Sequence, residues 1–217
     1  MRTLIIIFAS TLLTRTITTL KSNTSFGKLY ATTSNEFPYI AAILQKTSYL
    51  SSGALIDESW VLTGADSLYT FYYFVAIHPY FDDSKPLFDV ALIKLSQPVK
   101  LTDGLNPIRL QKKPRKMAAS HFIVPSWSNP KEQCDEELET LFGNKSTALM
   151  CLDPGIDRDP CLRDIGAPVV LNGILWGILS SWTSEDCDIE PISRPVMAQH
   201  ATMNAAVLGS IPLGNEN

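Results

Sequence analysis

The sequence predicts an all-β protein, either a barrel or a sandwich, and three observations support this fold class. From Glu36 onward, short apolar runs alternate with turn-forming residues. No long helical period occurs before about the last twenty residues, where we expect a short C-terminal helix. Of the 217 residues, 45% are apolar, which is enough for the core of one large domain or two smaller ones.

The first residues of the chain, 1–20, are typical of a secretory signal peptide. Residues 4–13 are apolar and follow Arg2, and the run is shorter than the roughly 20 residues that span a bilayer. Residues 14–20 contain no clear small-x-small cleavage site, so the mature start is undefined within several residues. An uncleaved anchor is the alternative, and the shortness of the run argues against it. We therefore expect a secreted protein with no membrane association.

The apolar runs after this segment predict strands in the following order. Residues 37–44 predict the first core strand, and residues 53–63 predict a hairpin that turns at Asp57 and Glu58. Residues 107–110 and 122–124 predict further short strands. Each is about the length of a strand in a globular protein, which suits a barrel built from short strands.

The charge, the cysteines and the short motifs of the chain indicate which partners and covalent modifications to expect. The net charge is −4 and the lysines and arginines are dispersed, so no basic face for nucleic acid is expected. In a secreted chain the four cysteines are expected to form disulfides, and the three possible connectivities cannot be separated by spacing. Asn23 and Asn144 begin N-glycosylation sequons. No motif indicates a cofactor, and we expect none.

Several separate motifs resemble, in order, those of the chymotrypsin-fold S1 serine proteases. The resemblance covers residues 26–208 and leaves residues 209–217 as a C-terminal tail. It implies a double β-barrel. It is carried by residues 52–56 and 60–65, His78-Pro79 ahead of residues 88–95, Trp127, residues 161–170, and residues 175–180.

One departure from the family is a shortened first barrel. Between Ser67 and His78 the family normally has about two further strands, whereas here only residues 68–77 connect them. The resemblance therefore implies an incomplete first barrel with an open edge. A splice variant, a gene-model error and an evolved shortening all remain open as its origin.

The resemblance places Asp66, Asp89 and Ile165 at the positions of the catalytic histidine, aspartate and serine. Ile165 has no lone pair with which to attack a carbonyl, and a carboxylate at Asp66 is too weak a base to activate a serine. Asp66 and Asp89 are expected to lie side by side, but two carboxylates are too few ligands for a metal ion. Structural or surface roles are expected for the three histidines of the chain, His78, His121 and His200.

Three further positions of the family's active region are altered. Arg163 replaces a glycine in the oxyanion loop, where a glycine normally permits the required turn. The activation stretch corresponds to residues 26–29 and is not preceded by a basic residue. The former substrate pocket is assigned to Asp159, Ser180 and Trp182, and Trp182 is expected to fill its mouth. A surface role for Asp159, paired with Arg158, remains an open alternative.

The resemblance also implies a disulfide pattern. Cys134 is expected to pair with Cys151, and Cys161 with Cys187. Ser51 and Ser67 occupy the positions of a bridge that normally flanks the catalytic histidine, and its loss at both ends leaves no orphan thiol.

These observations predict a secreted, inactive serine protease homologue that acts as a binding or regulatory protein through its protease-like surface. Its protein partner is not identified by the sequence. Two alternatives remain: a serine-type endopeptidase that uses unconventional catalytic residues, and a truncated isoform without independent function.

Overall fold

The computed structural model describes the chain as two β-sheets. It covers residues 4–8, 36–45, 48–68, 75–84, 88–111, 121–125, 136–141, 149–153, 165–183 and 196–200. Within these residues every regular element is a strand, as the sequence predicts. The same part of the chain contains no helix long and apolar enough to cross a membrane. The expected C-terminal helix and the tail at 209–217 lie outside the described residues, as does the end of the predicted signal peptide.

The first sheet has six strands in the spatial order β1-β2-β3-β4-β6-β5, and each neighbouring pair is antiparallel. Its outer strands are therefore β1 and β5. In sequence order the strands are β1 (Leu4–Phe8), β2 (Ile40–Gln45), β3 (Ser48–Asp57), β4 (Trp60–Thr63), β5 (Val75–Ile77) and β6 (Ala91–Lys94). The strand β1 is formed by residues that the sequence assigns to the signal peptide.

The predicted hairpin over residues 53–63 is formed by β3 and β4, with its turn one residue later than expected. Asp57 still pairs with Trp60 across the hairpin, so the turn lies at Glu58 and Ser59. The backbone N–H of Ser59 donates to Asp57 Oδ1 at 3.0 Å. The carboxylate of Asp57 thus closes the turn, as short acidic side chains commonly do.

The second sheet closes on itself. Its order is β11-β8-β9-β10-β13-β12-β7, and β11 also pairs with β12, so six strands form a ring and β7 adds to β12 in parallel. A closed barrel of this kind leaves no free edge within the ring. The strands are β7 (Arg109–Leu110), β8 (His121–Val124), β9 (Glu136–Leu141), β10 (Leu149–Asp153), β11 (Pro168–Leu171), β12 (Ile174–Thr183) and β13 (Val196–His200).

A two-residue turn joins β11 to β12. Asn172 and Gly173 have φ values of 52° and 70°, and this pair of positive values is that of a type I′ hairpin turn. Asparagine followed by glycine tolerates such backbone angles at little cost. The turn therefore fixes the antiparallel pairing of the two strands that border the first sheet's core.

The strands β11 and β12 contribute side chains to two hydrophobic clusters because successive residues of a strand face opposite sides. One cluster, shared with the first sheet, includes Val170, Leu175 and Ile178. The other includes Phe122, Val124, Ala167, Val169, Trp176 and Leu179. The two sheets therefore meet along β11 and β12, next to the turn that carries Ile165.

Candidate functional site

Asp89 lies at the centre of the candidate site, with its side chain completely buried. Asp89 Oδ1 accepts the backbone N–H of Asp66 at 2.8 Å, and Asp89 Oδ2 accepts the hydroxyl of Ser180 at 2.5 Å. A buried carboxylate is tolerated only when hydrogen bonds replace its hydration. These two bonds join the end of β4, the segment before β6, and β12.

Ser180, which the sequence assigns to the former pocket, donates its hydroxyl to Asp89. It is only 3% exposed, and its bond to Asp89 joins residues 91 positions apart in the chain. The sequence prediction did not include this contact. One sequence signal could have suggested this bond. Ser180 is a hydroxyl residue at the end of the buried run of β12, and a buried aspartate needs hydrogen-bond donors.

The turn at residues 165–167 is fastened to both sheets by backbone hydrogen bonds. The N–H of Ser52 in β3 donates to the carbonyl of Ile165 at 3.0 Å, and the N–H of Gly166 donates to the carbonyl of Leu179 at 2.8 Å. Leu179 donates in return to Ala167 at 2.9 Å. Gly166 has φ of 83°, a conformation that a side chain disfavours. The position of Ile165 is thereby held by the backbone on both sides.

The side chain of Ile165 packs toward Gly64, which follows β4. A Cβ atom added at Gly64 would lie 2.5 Å from Ile165 Cγ2 and 3.5 Å from Asp89 Oδ1. Together with the bond from Asp66 to Asp89, this contact brings positions 66, 89 and 165 into one neighbourhood. The neighbourhood presents a branched hydrocarbon side chain, two aspartates and the hydroxyl of Ser180.

His78 is buried close by, but its imidazole contacts Tyr80 and Phe88 rather than Asp89. Its Nδ1 accepts the N–H of Tyr80 at 3.2 Å, its Nε2 is buried without a hydrogen-bond partner, and its ring stacks on Phe88 at 4.6 Å. Its backbone N–H donates to the carbonyl of Val90 at 3.1 Å. Burial lowers the pKa of His78, so the neutral ring is favoured. With these contacts the ring of His78 donates no hydrogen bond to Asp89.

The remaining predicted positions contribute no described side chain. For four of them, the structure describes the backbone alone, in β12, β8, β13 and β10: Trp182, His121, His200 and Cys151. Outside the described residues lie Asn23, Trp127, Cys134, Asn144, Asp159, Cys161, Arg163 and Cys187. The two disulfide pairings, the sequons, the oxyanion-loop position and the former substrate pocket therefore stay predictions.

No group of three or more His, Cys, Asp or Glu side chains suited to a metal ion occurs in the part of the chain that the structure describes. Within this pair, Asp89 accepts one hydrogen bond from the backbone N–H of Asp66 and one from the hydroxyl of Ser180, rather than lying among further carboxylates. The described residues thus hold this pair by hydrogen bonding.

The residues of the candidate site lie within a match to a known protein family. The family model named Trypsin matches residues 64–204, well over half of the chain. The chain belongs to the trypsin family. This match confirms the S1 resemblance and the all-β, chymotrypsin-like fold that the sequence predicts.

Trypsin-family kallikreins are among its relatives. Glandular kallikrein-10 of Rattus norvegicus is 27% identical over 212 residues, a match covering 73% of this chain and 79% of that protein. Kallikrein-11 of Mus musculus is 26% identical over 196 residues, covering 70% of each chain.

Solved trypsin-family structures share the fold. Neuropsin, a serine protease expressed in the limbic system of mouse brain, has a TM-score of 0.65 at 21% identity and covers 85% of this chain and 97% of its own. Kallikrein-related peptidase 10 has a TM-score of 0.64 at 20% identity, covering 79% and 93%. At these identities the structural likeness concerns the fold alone.

Proposed function

We propose that this trypsin-family chain is a secreted protein that does not hydrolyse peptide bonds and acts by binding a protein partner through its protease-like surface. The observation that carries the proposal is the composition of the site. Ile165 supplies a hydrocarbon side chain at the family's nucleophile position, and Asp66 supplies a carboxylate at its histidine position.

Acyl transfer in this family requires a hydroxyl nucleophile, an imidazole that accepts its proton, and a carboxylate that orients the imidazole. Of the three family positions that carry these groups, 66, 89 and 165, only position 89 holds the family's residue. Both Asp89 oxygens accept hydrogen bonds from the protein itself, from the backbone of Asp66 and the hydroxyl of Ser180. These bonds tie the segment after β4 to β12, and Asp66, at the histidine position, supplies no imidazole for Asp89 to orient.

The backbone structure around the altered catalytic positions is retained, which supports a binding role. Backbone hydrogen bonds from β3 and β12 hold residues 165–167, and Ala167 belongs to the buried cluster that β8, β11 and β12 form. A surface built on such rigid elements loses little conformational entropy on association. The proposal therefore assigns the partner to the face that contains positions 66 and 165.

The alternative is a peptidase that uses unconventional residues, and the bond between Ser180 and Asp89 is the observation in its favour. A hydroxyl beside a carboxylate is one part of a nucleophilic site. However, Ser180 donates a hydrogen bond to Asp89 from a position that is only 3% exposed, and this burial keeps a substrate carbonyl from reaching its oxygen. The same burial makes Ser180 a structural residue under the proposal.

Labelling with a fluorophosphonate probe separates the two functions. The purified secreted protein is expected to remain unlabelled beside trypsin as a positive control. The variant Ile165→Ser is also expected to remain unlabelled, because it restores a hydroxyl without a base to activate it. Specific labelling of the unmodified protein that heating abolishes would overturn the proposal in favour of the peptidase.

A charge-reversal pair tests the assigned surface. The secreted protein is used to capture cross-linked partners from the medium of cells that express it, and the captured proteins are compared between two variants. Asp66→Arg is expected to lose the partner, whereas Asp103→Arg, at an exposed site in the loop after β6, is expected to keep it. Equal capture by both variants would show that the partner binds elsewhere.

A further inference from the structure

The outer strand of the first sheet is formed by residues that the sequence assigns to a leader. The strand β1, Leu4–Phe8, pairs with β2 along five consecutive positions, from Leu4 opposite Gln45 to Phe8 opposite Ala41. Phe8 is 5% exposed and belongs to the main hydrophobic cluster, and Ile6 packs against the same cluster. Ile6 and Phe8 are two residues apart and so share one face of the strand. This segment therefore contributes both backbone pairing and core side chains.

The neighbouring strand β2 has the composition of an interior strand. Its sequence is Ile-Ala-Ala-Ile-Leu-Gln, without a charged residue, and its first four residues are all buried. An edge strand normally carries charges, proline or a polar face that prevents pairing with other chains. Without β1, the chain would present β2 as a long apolar edge. The opposite edge, β5, is short at three residues, which is itself a way of limiting such pairing.

Two features of the leader are compatible with its retention in the secreted protein. Residues 14–20 contain no clear small-x-small cleavage site, and the apolar run over residues 4–13 is shorter than a membrane span. Four of the five residues of β1 are isoleucine or phenylalanine, which favour strands. A retained leader of this composition can therefore form a strand that pairs with β2.

We propose that the free side of β2 is a strand-acceptor site, and that residues 4–8, retained in the secreted protein, are the strand that fills it. The apolar segment first directs the chain to the secretory pathway and then pairs with β2 as strand β1, which completes the six strands of the first sheet. This inference is independent of whether the site around Asp89 is catalytic, because it concerns the opposite side of β2 from β3.

A cross-strand cysteine pair tests both retention and register on the full chain secreted from cultured cells. Leu4 and Gln45 lie opposite each other, so Leu4→Cys with Gln45→Cys is expected to form a disulfide. The control, Ile6→Cys with Gln45→Cys, is displaced by two positions because Ile6 lies opposite Ile43, and it is expected to stay reduced. Non-reducing peptide mapping should find the tryptic peptide 3–15 joined to the peptide 29–46. Absence of peptide 3–15 from the secreted protein, or equal cross-linking of the two pairs, would overturn the proposal.

The thermal midpoints of two alanine variants test the proposal if the cysteine variants are not secreted. Phe8→Ala removes a buried aromatic side chain and is expected to lower the thermal midpoint by about 10 °C. Leu101→Ala removes a large apolar side chain that is 43% exposed and lies outside the leader, and it is expected to leave the midpoint unchanged. Equal midpoints for both variants would mean that the segment is removed or does not pack. A concentration-dependent dimer held by an unfilled β2 would contradict occupancy by the chain's own strand.

Discussion

Replacing Gly166 with alanine tests whether the turn at the candidate site is held by close backbone approach. A Cβ at Gly166 would fall well inside van der Waals contact of the Ser52 carbonyl oxygen and the Thr63 hydroxyl, and 3.0 Å from the N of Gly64. Gly173 is the matched control, because its φ of 70° is also positive and a Cβ there would meet nothing within 4 Å. The two substitutions share the conformational cost and differ in the contacts.

The expected magnitudes follow from these contacts. A side chain in the left-handed region costs roughly 1–2 kcal/mol, which is the whole effect expected at Gly173. At Gly166 the new methyl group also displaces the buried hydrogen bond in which Thr63 donates to the Ser52 carbonyl at 2.6 Å. Leaving a buried acceptor unsatisfied costs about 1–3 kcal/mol, and the overlap adds a similar amount. Gly166→Ala should therefore destabilise the protein by roughly 3 kcal/mol more than Gly173→Ala.

Urea denaturation of the two variants and the unmodified protein measures this difference. With a slope of about 2 kcal/mol per molar urea, the midpoint of Gly166→Ala should fall by at least ~1.5 M more than that of Gly173→Ala. Circular dichroism at equilibrium gives both midpoints. If the two variants lose stability equally, the turn is not packed against β3 as described and the reasoning is refuted.

Three other substitutions have expected outcomes. Ser180→Ala removes the hydroxyl that donates to buried Asp89, and because hydrogen bonds to charged groups contribute roughly 1.5–3 kcal/mol, urea denaturation should show a loss of that size. Burial lowers the pKa of His78, so the unfolded chain binds a proton more readily than the native protein. Stability should therefore fall as the pH drops below about 6.5, the ordinary value for histidine, and His78→Gln should reduce this slope between pH 7 and 5. Ser51→Cys with Ser67→Cys should form a disulfide across the hairpin end and raise stability by about 3 kcal/mol, as measured by denaturation with and without reductant.

Each of these predictions has a control or a contrary result. Ser96→Ala changes an exposed serine and should leave stability unchanged, so an equal loss at both serines would remove the role assigned to the bond with Asp89. An identical pH slope with and without His78 would assign the acid sensitivity to other groups. Free thiols in the oxidised double-cysteine variant would show that the two hairpin ends do not meet.

The strands of the first sheet were predictable where the pattern is local. The run at residues 37–44 and the hairpin at 53–63 correspond to β2, β3 and β4, because apolar runs and turn residues lie close together in the chain. The hairpin turn was placed one residue early, since the sequence does not reveal that Asp57 keeps its pairing with Trp60. The strand β1 could not be foreseen, because the same apolar run is typical of a leader and its partner lies some 35 residues away.

The candidate site was predictable only through family resemblance. Motif positions identified Asp66, Asp89 and Ile165, but no local pattern in the chain indicates that they meet. The bond from Ser180 to Asp89 crosses 91 positions and forms only when the two sheets pack. The type I′ turn at Asn172 is the contrary case: an asparagine-glycine pair between two apolar runs is a strong local hairpin signal, and the sequence analysis did not use it.

The two sheets should not open with equal ease. Each of the six strands in the closed ring has at least two hydrogen-bonded neighbours, whereas β5 is held by its pairing with β6 over three positions among the described residues. Amide hydrogens of β5 should exchange with solvent well before those of the ring. The chain runs from β5 directly into His78, whose N–H is bonded to the carbonyl of Val90, next to Asp89. Local unfolding therefore begins at the border of the candidate site, where a bound partner would have the greatest effect on amide exchange.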